Sequence, residues 1–305
     1  MTPVKQKFLA TSGILTTALV WGLMWYPFRS LNAQGVSVPM ASLAIYLITI
    51  AAGLALFFNL YRRQFRFEPV LVLLTLLFGW CNFSYTMAVA EGQVMRVLLL
   101  FYLSPLWTAL LSRLLLHERL TRSGWGVVGL SLLGCGVFIY RPELLSGGLP
   151  LTHGYEWLAL TGGMAFALGN VVSRKAQGIP VPVKSATVWF GVALIGAVSL
   201  LRSGDLHRML EIPAESWLLL CILGVVLLCT SVISQNGVSI LPASQAMTLM
   251  LMELVFAAVS AYLLAGERMS AQEWLGGALI AGASLLSGKM THPVPRHRAS
   301  PPAGA

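Results

Sequence analysis

Charge is scarce in this 305-residue chain: Asp, Glu, Lys and Arg together make up 10% of it, against about 25% in a soluble domain. Aspartate is represented by Asp205 alone, which excludes a two-aspartate intramembrane protease. Histidine is equally thin. His117, His153, His207, His292 and His297 all lie outside the long apolar runs or at their edges, so neither a zinc site nor a Ser/His nucleophile is readable. The four cysteines (Cys81, Cys135, Cys221, Cys229) fall inside apolar runs, which speaks against a disulfide framework and predicts small buried side chains. No Gly-rich phosphate loop with a lysine occurs, so the chain has no motor for ATP-driven pumping. The expectation is a protein that is not an enzyme and holds no metal or cofactor.

What is present is apolar sequence: 57% of the chain is hydrophobic and its mean hydropathy is +0.77. Runs long enough to cross a bilayer occupy residues 8–28, 38–60, 70–90, 95–116 and 123–140, and then 155–173, 184–201, 216–239, 243–265 and 272–288. The first run follows Lys5 and Lys7 without a small-residue cleavage site, and reads as a retained span. Arg141-Pro142-Glu143 and a Gly/Pro-containing connector to His153 separate the two sets of five. The expected units are residues 1–145, 146–289, and a Pro-rich basic tail at 290–305 that reads as disordered.

The net charge of +9 does not indicate nucleic acid, because the positive residues sit at span ends rather than along one face. They report topology instead. With the N-terminus in the cytoplasm, that side holds fourteen of the twenty Lys and Arg residues, from Lys5 to Arg298. Both termini are therefore expected on the cytoplasmic side of the cytoplasmic membrane.

The chain also repeats itself. Glu118-Arg119 at the end of the fourth run recurs as Glu267-Arg268 at the end of the ninth, an offset of 149 positions (267 − 118). At the same offset Ala109, Leu114, Leu115 and Trp125 meet Ala258, Leu263, Leu264 and Trp274. A duplicated unit with an odd number of spans enters the membrane in opposite senses in its two copies. The basic residues agree: Arg113, Arg119 and Arg122 surround Glu118, whereas Arg268 alone accompanies Glu267 and Glu273. The expected fold is an all-α polytopic membrane protein, ten transmembrane helices in two inverted five-helix repeats. Inverted repeats recur in secondary transporters, with the substrate between the halves near mid-bilayer.

The corner Leu114-Leu115-Leu116-His117-Glu118-Arg119-Leu120, followed by Trp125 and Gly126, Gly129, Gly134 and Gly136, resembles the fourth and fifth helices of an EamA-type repeat. So does Tyr262-Leu263-Leu264-Ala265-Gly266-Glu267-Arg268, followed by Trp274, Gly276, Gly277 and Gly282; Trp21-Gly22 and Pro105 fit as well. The resemblance, to the drug/metabolite transporter superfamily, covers nearly everything but the tail. It implies ten helices and export of small metabolites, amino acids or toxic organic compounds on ion or substrate gradients. One departure is that the Glu-Pro pair common in the family's ninth helix is Glu253-Leu254 here, so a kink is expected to be missing.

Glu253 leads the candidate substrate-binding residues. It stands about ten residues into its span, near mid-depth at about 1.5 Å per residue, where an ionised carboxylate costs roughly 2.5–3.5 kcal/mol on insertion scales. It therefore belongs toward the protein interior or a wet cavity, to exchange a proton, to bind a substrate amine, or to serve as a protonated structural group. Its stripe is Gln245, Leu249, Phe256 and Ser260. Asn82, Asn170, Gln235 and Asn236 are the other deep polar groups, fitted either to a polar substrate or to interhelical hydrogen bonds. Asn82 and Tyr85 share a helix face. Trp21 and Tyr102 lie deep enough to pack or to line a cavity, while Trp25 reads as an interfacial anchor. Glu91 and Arg96 flank a turn and read as solvated, and Glu118 and Glu267 as turn-fixing. Small faces at Gly126/Gly129 and Ala278/Gly282 fit close packing within one chain or in a dimer, so monomer and homodimer both stand. The function expected is an alternating-access carrier exporting small organic metabolites, apolar or aromatic amino acids first. Export of multiple drugs or cationic compounds, and passive facilitation, are the alternatives. The partners expected are that small-molecule substrate and the lipid bilayer.

Overall fold

The computed structural model describes residues 3–91, 97, 100–118, 120–140, 153–265 and 270–286. Arg96, Arg119, Glu267, Arg268, the connector at 141–152 and the tail lie outside the described residues, as does the side chain of Glu91. Among the described residues the chain is helical, without strands, as lipid demands of a backbone that must satisfy its own hydrogen bonds.

Among the described residues, twelve α-helices build ten rods. The first half contains α1 (Pro3–Leu23) with α2 (Trp25–Ala33), then α3 (Val38–Gln64), α4 (Pro69–Glu91), α5 (Ser104–Leu115) and α6 (Arg122–Ile139). The second contains α7 (Gly154–Lys175), α8 (Val181–Ser203), α9 (Ala214–Ile240), α10 (Ala243–Met250) with α11 (Met252–Ala265), and α12 (Ala271–Leu286). Proline opens several of them: it occupies N1 or N2 in α3, α5 and α8 and the cap position of α9 and α10. There its fixed φ fits and its missing N–H costs nothing. α7 starts with a capping box in which Glu156 Oε2 accepts from the His153 amide at 2.9 Å.

The packing obeys a two-fold exchange of the halves. α4 lies against α7 and α8; correspondingly α9 lies against α1 and α3. α5 meets α7 as α11 meets α1, while α3 with α8 and α6 with α12 pair across the exchange itself. Each half contributes five rods, an odd number, so the chain enters the second unit from the side opposite to the first, and the repeats are inverted.

Glycine permits a close crossing of α4 and α8. A β-carbon on Gly191 of α8 would lie 3.0 Å from the Gly79 amide nitrogen of α4, closer still to the Thr75 carbonyl. The outer faces are apolar: Leu56, Phe58, Leu218 and Leu263 are more than half exposed, a surface suited to lipid. Cys221 and Cys229 belong to it. The reading of all four cysteines as buried is corrected: Cys81 and Cys135 are buried, but these two are exposed on α9. A helix apolar all round carries no signal of which side faces inward.

A second correction concerns the ninth rod. It breaks at Leu251 without any proline, and the Leu254 amide bonds the Leu251 carbonyl at 3.1 Å, a tightened turn. The fourth rod is interrupted at Tyr102–Leu103, just before Pro105. Leu251 follows Tyr102 by the same repeat offset, so the two bends are equivalent.

Candidate functional site

Between the halves lies a cavity of about 110 Å³ lined from both repeats. Five of its walls come from predicted polar or aromatic residues: Trp21 on α1, Asn82 and Tyr85 on α4, Asn170 on α7, and Gln235 on α9; Glu253 on α11 completes the set. Phe78, Phe101 and Phe166 supply apolar ring surface that sequence reasoning did not single out. Phe101 stacks on Phe166 at 5.7 Å and tilts against Tyr85 at 4.8 Å.

Two predicted residues stand elsewhere. Tyr102 is buried and not part of the lining, but its hydroxyl and the Glu253 side chain are hydrogen-bonded to one another. It reaches the cavity through that contact. Asn236 is exposed, because one helical step past Gln235 turns it about 100° away. Trp25, read as an interfacial anchor, is partly buried, and its Nε1 donates to Ser260 Oγ at 2.9 Å, while that hydroxyl lies 3.0 Å from the Gly22 carbonyl. This fastens α2 and α11 beside a close approach, where a β-carbon on Gly22 would lie 2.9 Å from the Glu253 carbonyl oxygen.

The amides have defined orientations. Asn82 Nδ2 donates to the Phe78 carbonyl at 2.9 Å and Asn170 Nδ2 to the Phe166 carbonyl at 2.8 Å. A carbonyl accepts only from the nitrogen end, so each Oδ1 is turned away from its own helix. Gln235 is set the other way round, because its Oε1 accepts from Ser173 Oγ at 2.5 Å.

One turn beyond Gln235 the rods are tied by charge. His117 takes a left-handed φ of 55°, and the Glu118 amide turns back to the Ser112 carbonyl at 3.3 Å. That corner carries the Glu118 carboxylate beneath the neighbouring rods. Oε1 lies 3.3 Å from Arg174 Nε, and Oε2 accepts from the Ala243 amide at 3.2 Å, at the positive N-terminus of α10. Arg174 also donates to the Ser239 carbonyl at 2.5 Å. Beside it, Lys184 is 1% exposed; its Nζ donates to the Ser173 carbonyl at 3.1 Å and to Ser239 Oγ.

Family comparison agrees with this architecture. The EamA-like transporter family matches the chain twice, over residues 8–140 and 154–288. The chain belongs to the EamA-like transporter family. It is a membrane transporter of the drug/metabolite superfamily. It is similar to an uncharacterized transporter of Pseudomonas aeruginosa, 27% identical over 181 residues, a match that spans 57% of each chain. It thus spans a little over half the length of that relative. A protein of known crystal structure shares its fold, with a TM-score of 0.70 at 21% identity over 91% of this chain and 96% of the other.

In this EamA-like transporter the Glu118 corner, which is the most legible motif of the repeat, lies outside the cavity and joins the first half to the second. Lys184 was missed. It stands four residues into α8 at the edge of an apolar run, where a lysine ordinarily snorkels to the surface; only the fold shows it turned inward.

Proposed function

We propose that this transporter is an alternating-access carrier that exports small organic metabolites with an apolar body and an amino group, apolar and aromatic amino acids foremost. The observation that carries this reading is Glu253. A carboxylate stands in a cavity between inverted repeats, ringed by Trp21, Tyr85, Phe101 and Phe166. An ammonium group answers the carboxylate, and aromatic rings both pack the apolar body and attract a cation. Asn82 turns a second acceptor away from its helix nearby. Rocking one five-helix half against the other would expose the cavity to either side in turn. The Lys and Arg distribution supports cytoplasmic termini, and the outward direction follows the export that the family resemblance implies.

Glu253 also provides for proton coupling, since binding a cationic amine and binding a proton are alternative ways of neutralising the same group. The second reading, export of cationic organic compounds without a carboxylate, is favoured by the same acceptor-rich wall. The deciding experiment is counterflow in proteoliposomes against a panel of amino acids, amines and sugars, with and without an imposed pH gradient. Glu253→Gln should insert and fold, yet lose transport of every amino compound. Undiminished transport by that variant at all pH values would refute the proposal. Flux indifferent to the gradient would identify facilitated diffusion.

A further inference from the structure

We infer that the Gln235 end of the cavity is a carboxylate subsite, with buried Lys184 as the cation behind it, so that the carrier selects zwitterions over simple amines. This deepens the proposed amine-carrying function and rests on it.

The chemistry begins with the amide of Gln235. Its Oε1 is occupied by the Ser173 hydroxyl at 2.5 Å, so the group left to meet a ligand in the cavity is the nitrogen, a donor. Donors read carboxylates. The cavity wall is thus polarised: Glu253 offers acceptor oxygens, and Gln235 offers N–H groups. Asn170, one turn from Ser173 on α7, keeps a second N–H beyond the one it gives to Phe166.

Lys184 supplies charge behind this donor. It is 1% exposed, and its partners, the Ser173 carbonyl and Ser239 Oγ, are both neutral. Ser239 Oγ in turn donates to the Gln235 carbonyl at 2.8 Å, and Ser173 holds the Gln235 side chain. Lys184 therefore reaches Gln235 through one intervening residue along two separate paths. The carboxylate of Glu118 is engaged by Arg174 and the Ala243 amide. Among the described residues no carboxylate forms an ion pair with Lys184. Its position in the first turns of α8 adds to the disfavour, because the amide dipoles there are themselves positive at that end. A buried cation without a counter-ion is expensive in a membrane. An anion arriving at the Gln235 amide would relieve that cost, and would do so only while the cargo is bound.

A zwitterion can then satisfy both poles at once, its ammonium at Glu253 and its carboxylate at Gln235. The corresponding amine fills one pole and leaves Lys184 unanswered. Lys184 acts through Gln235 and is a positioning residue, which makes selectivity the readout that separates its role from mere support of the fold.

The test uses the purified full chain in proteoliposomes, with radiolabelled phenylalanine and phenethylamine as probes that share a ring and differ by the carboxylate. The wild type should prefer phenylalanine. Lys184→Gln should lower kcat/KM for phenylalanine about tenfold or more, the scale of a charge-assisted hydrogen bond, and leave phenethylamine within about twofold, while Lys184→Arg restores the preference. Gln235→Glu, which retains the lysine, should reverse the preference toward phenethylamine. Equal losses for both probes in Lys184→Gln, unchanged phenylalanine transport in it, or no reversal in Gln235→Glu would overturn the subsite. Glu253→Gln distinguishes the two levels. If it abolishes both fluxes while Lys184→Gln spares phenylalanine, only the subsite falls; if it spares both, or the wild type carries neither probe, the amine reading falls and takes the subsite with it.

Discussion

Replacing Glu118 by Gln removes a carboxylate that joins the first half of the transporter to the second at this end of the bundle. Glu118 and Arg174 side chains are 13% and 17% exposed and 3.3 Å apart. At an effective dielectric of about 20 their attraction is roughly 5 kcal/mol before desolvation. Desolvation offsets much of it, and the net value of a hydrogen bond to a charged group is about 1.5–3 kcal/mol. A glutamine oxygen still accepts from the Ala243 amide, so the cap survives and the expected loss is about 2 kcal/mol. That loss falls on whichever arrangement holds these ends together, and it changes a two-state population roughly 30-fold.

The assay is thiol labelling. Ser112 and Ser244 are 1% and 2% exposed beneath the corner, their hydroxyls 3.4 Å apart. A cysteine at Ser112 in an otherwise cysteine-free chain should react slowly with a water-soluble maleimide. In the Glu118→Gln background it should react at least about tenfold faster, in line with that population change. Exchanging the charges, Glu118→Arg with Arg174→Glu, should restore protection only in part, because arginine cannot accept from Ala243. Labelling unaffected by Glu118→Gln would show that the ion pair does not hold the halves together.

Three further outcomes follow from the packing. Trp25→Phe deletes the hydrogen bond to Ser260 and should cost about 1 kcal/mol, read as a small fall in thermal stability; combined with Ser260→Ala the losses should not add. Gly191→Val drives side-chain atoms into the Thr75 carbonyl and should cost about 3 kcal/mol or more, abolishing a monodisperse peak in size-exclusion chromatography. Gly126→Val, whose β-carbon meets nothing within 4 Å, should elute as the wild type does. Reporters fused after Arg119 and after Arg268 should signal from opposite compartments; the same compartment would contradict the inverted topology.

The rods were legible because their length and apolarity are imposed by the bilayer, and the corner at Glu118 because it occurs twice. Which face of each rod turns inward was not. In water a helix must show polar residues outside, so its pattern reveals its orientation; in lipid both faces are apolar, and α4 and α9 carry almost no such pattern. That is why Gln235 and its neighbour Asn236 read alike in sequence yet separate in the fold. Lys184 escaped because its inward turn depends on Ser173 and Ser239, partners on two other rods. The bend at Leu251 was hidden for a different reason. A proline announces a bend in the sequence, whereas here packing produces one with every amide still in place.

That contrast separates the two bends. At Tyr102–Leu103 the following Pro105 has no amide proton to give, so its rod can never close into an unbroken ladder. At Leu251 each donor survives, and straightening would leave no orphan behind. Duplication therefore left the transporter one joint fixed by proline and one that no proline holds, and the second is two residues from Glu253. A ligand gripping Glu253 would pull on the only one of these two joints free to unbend.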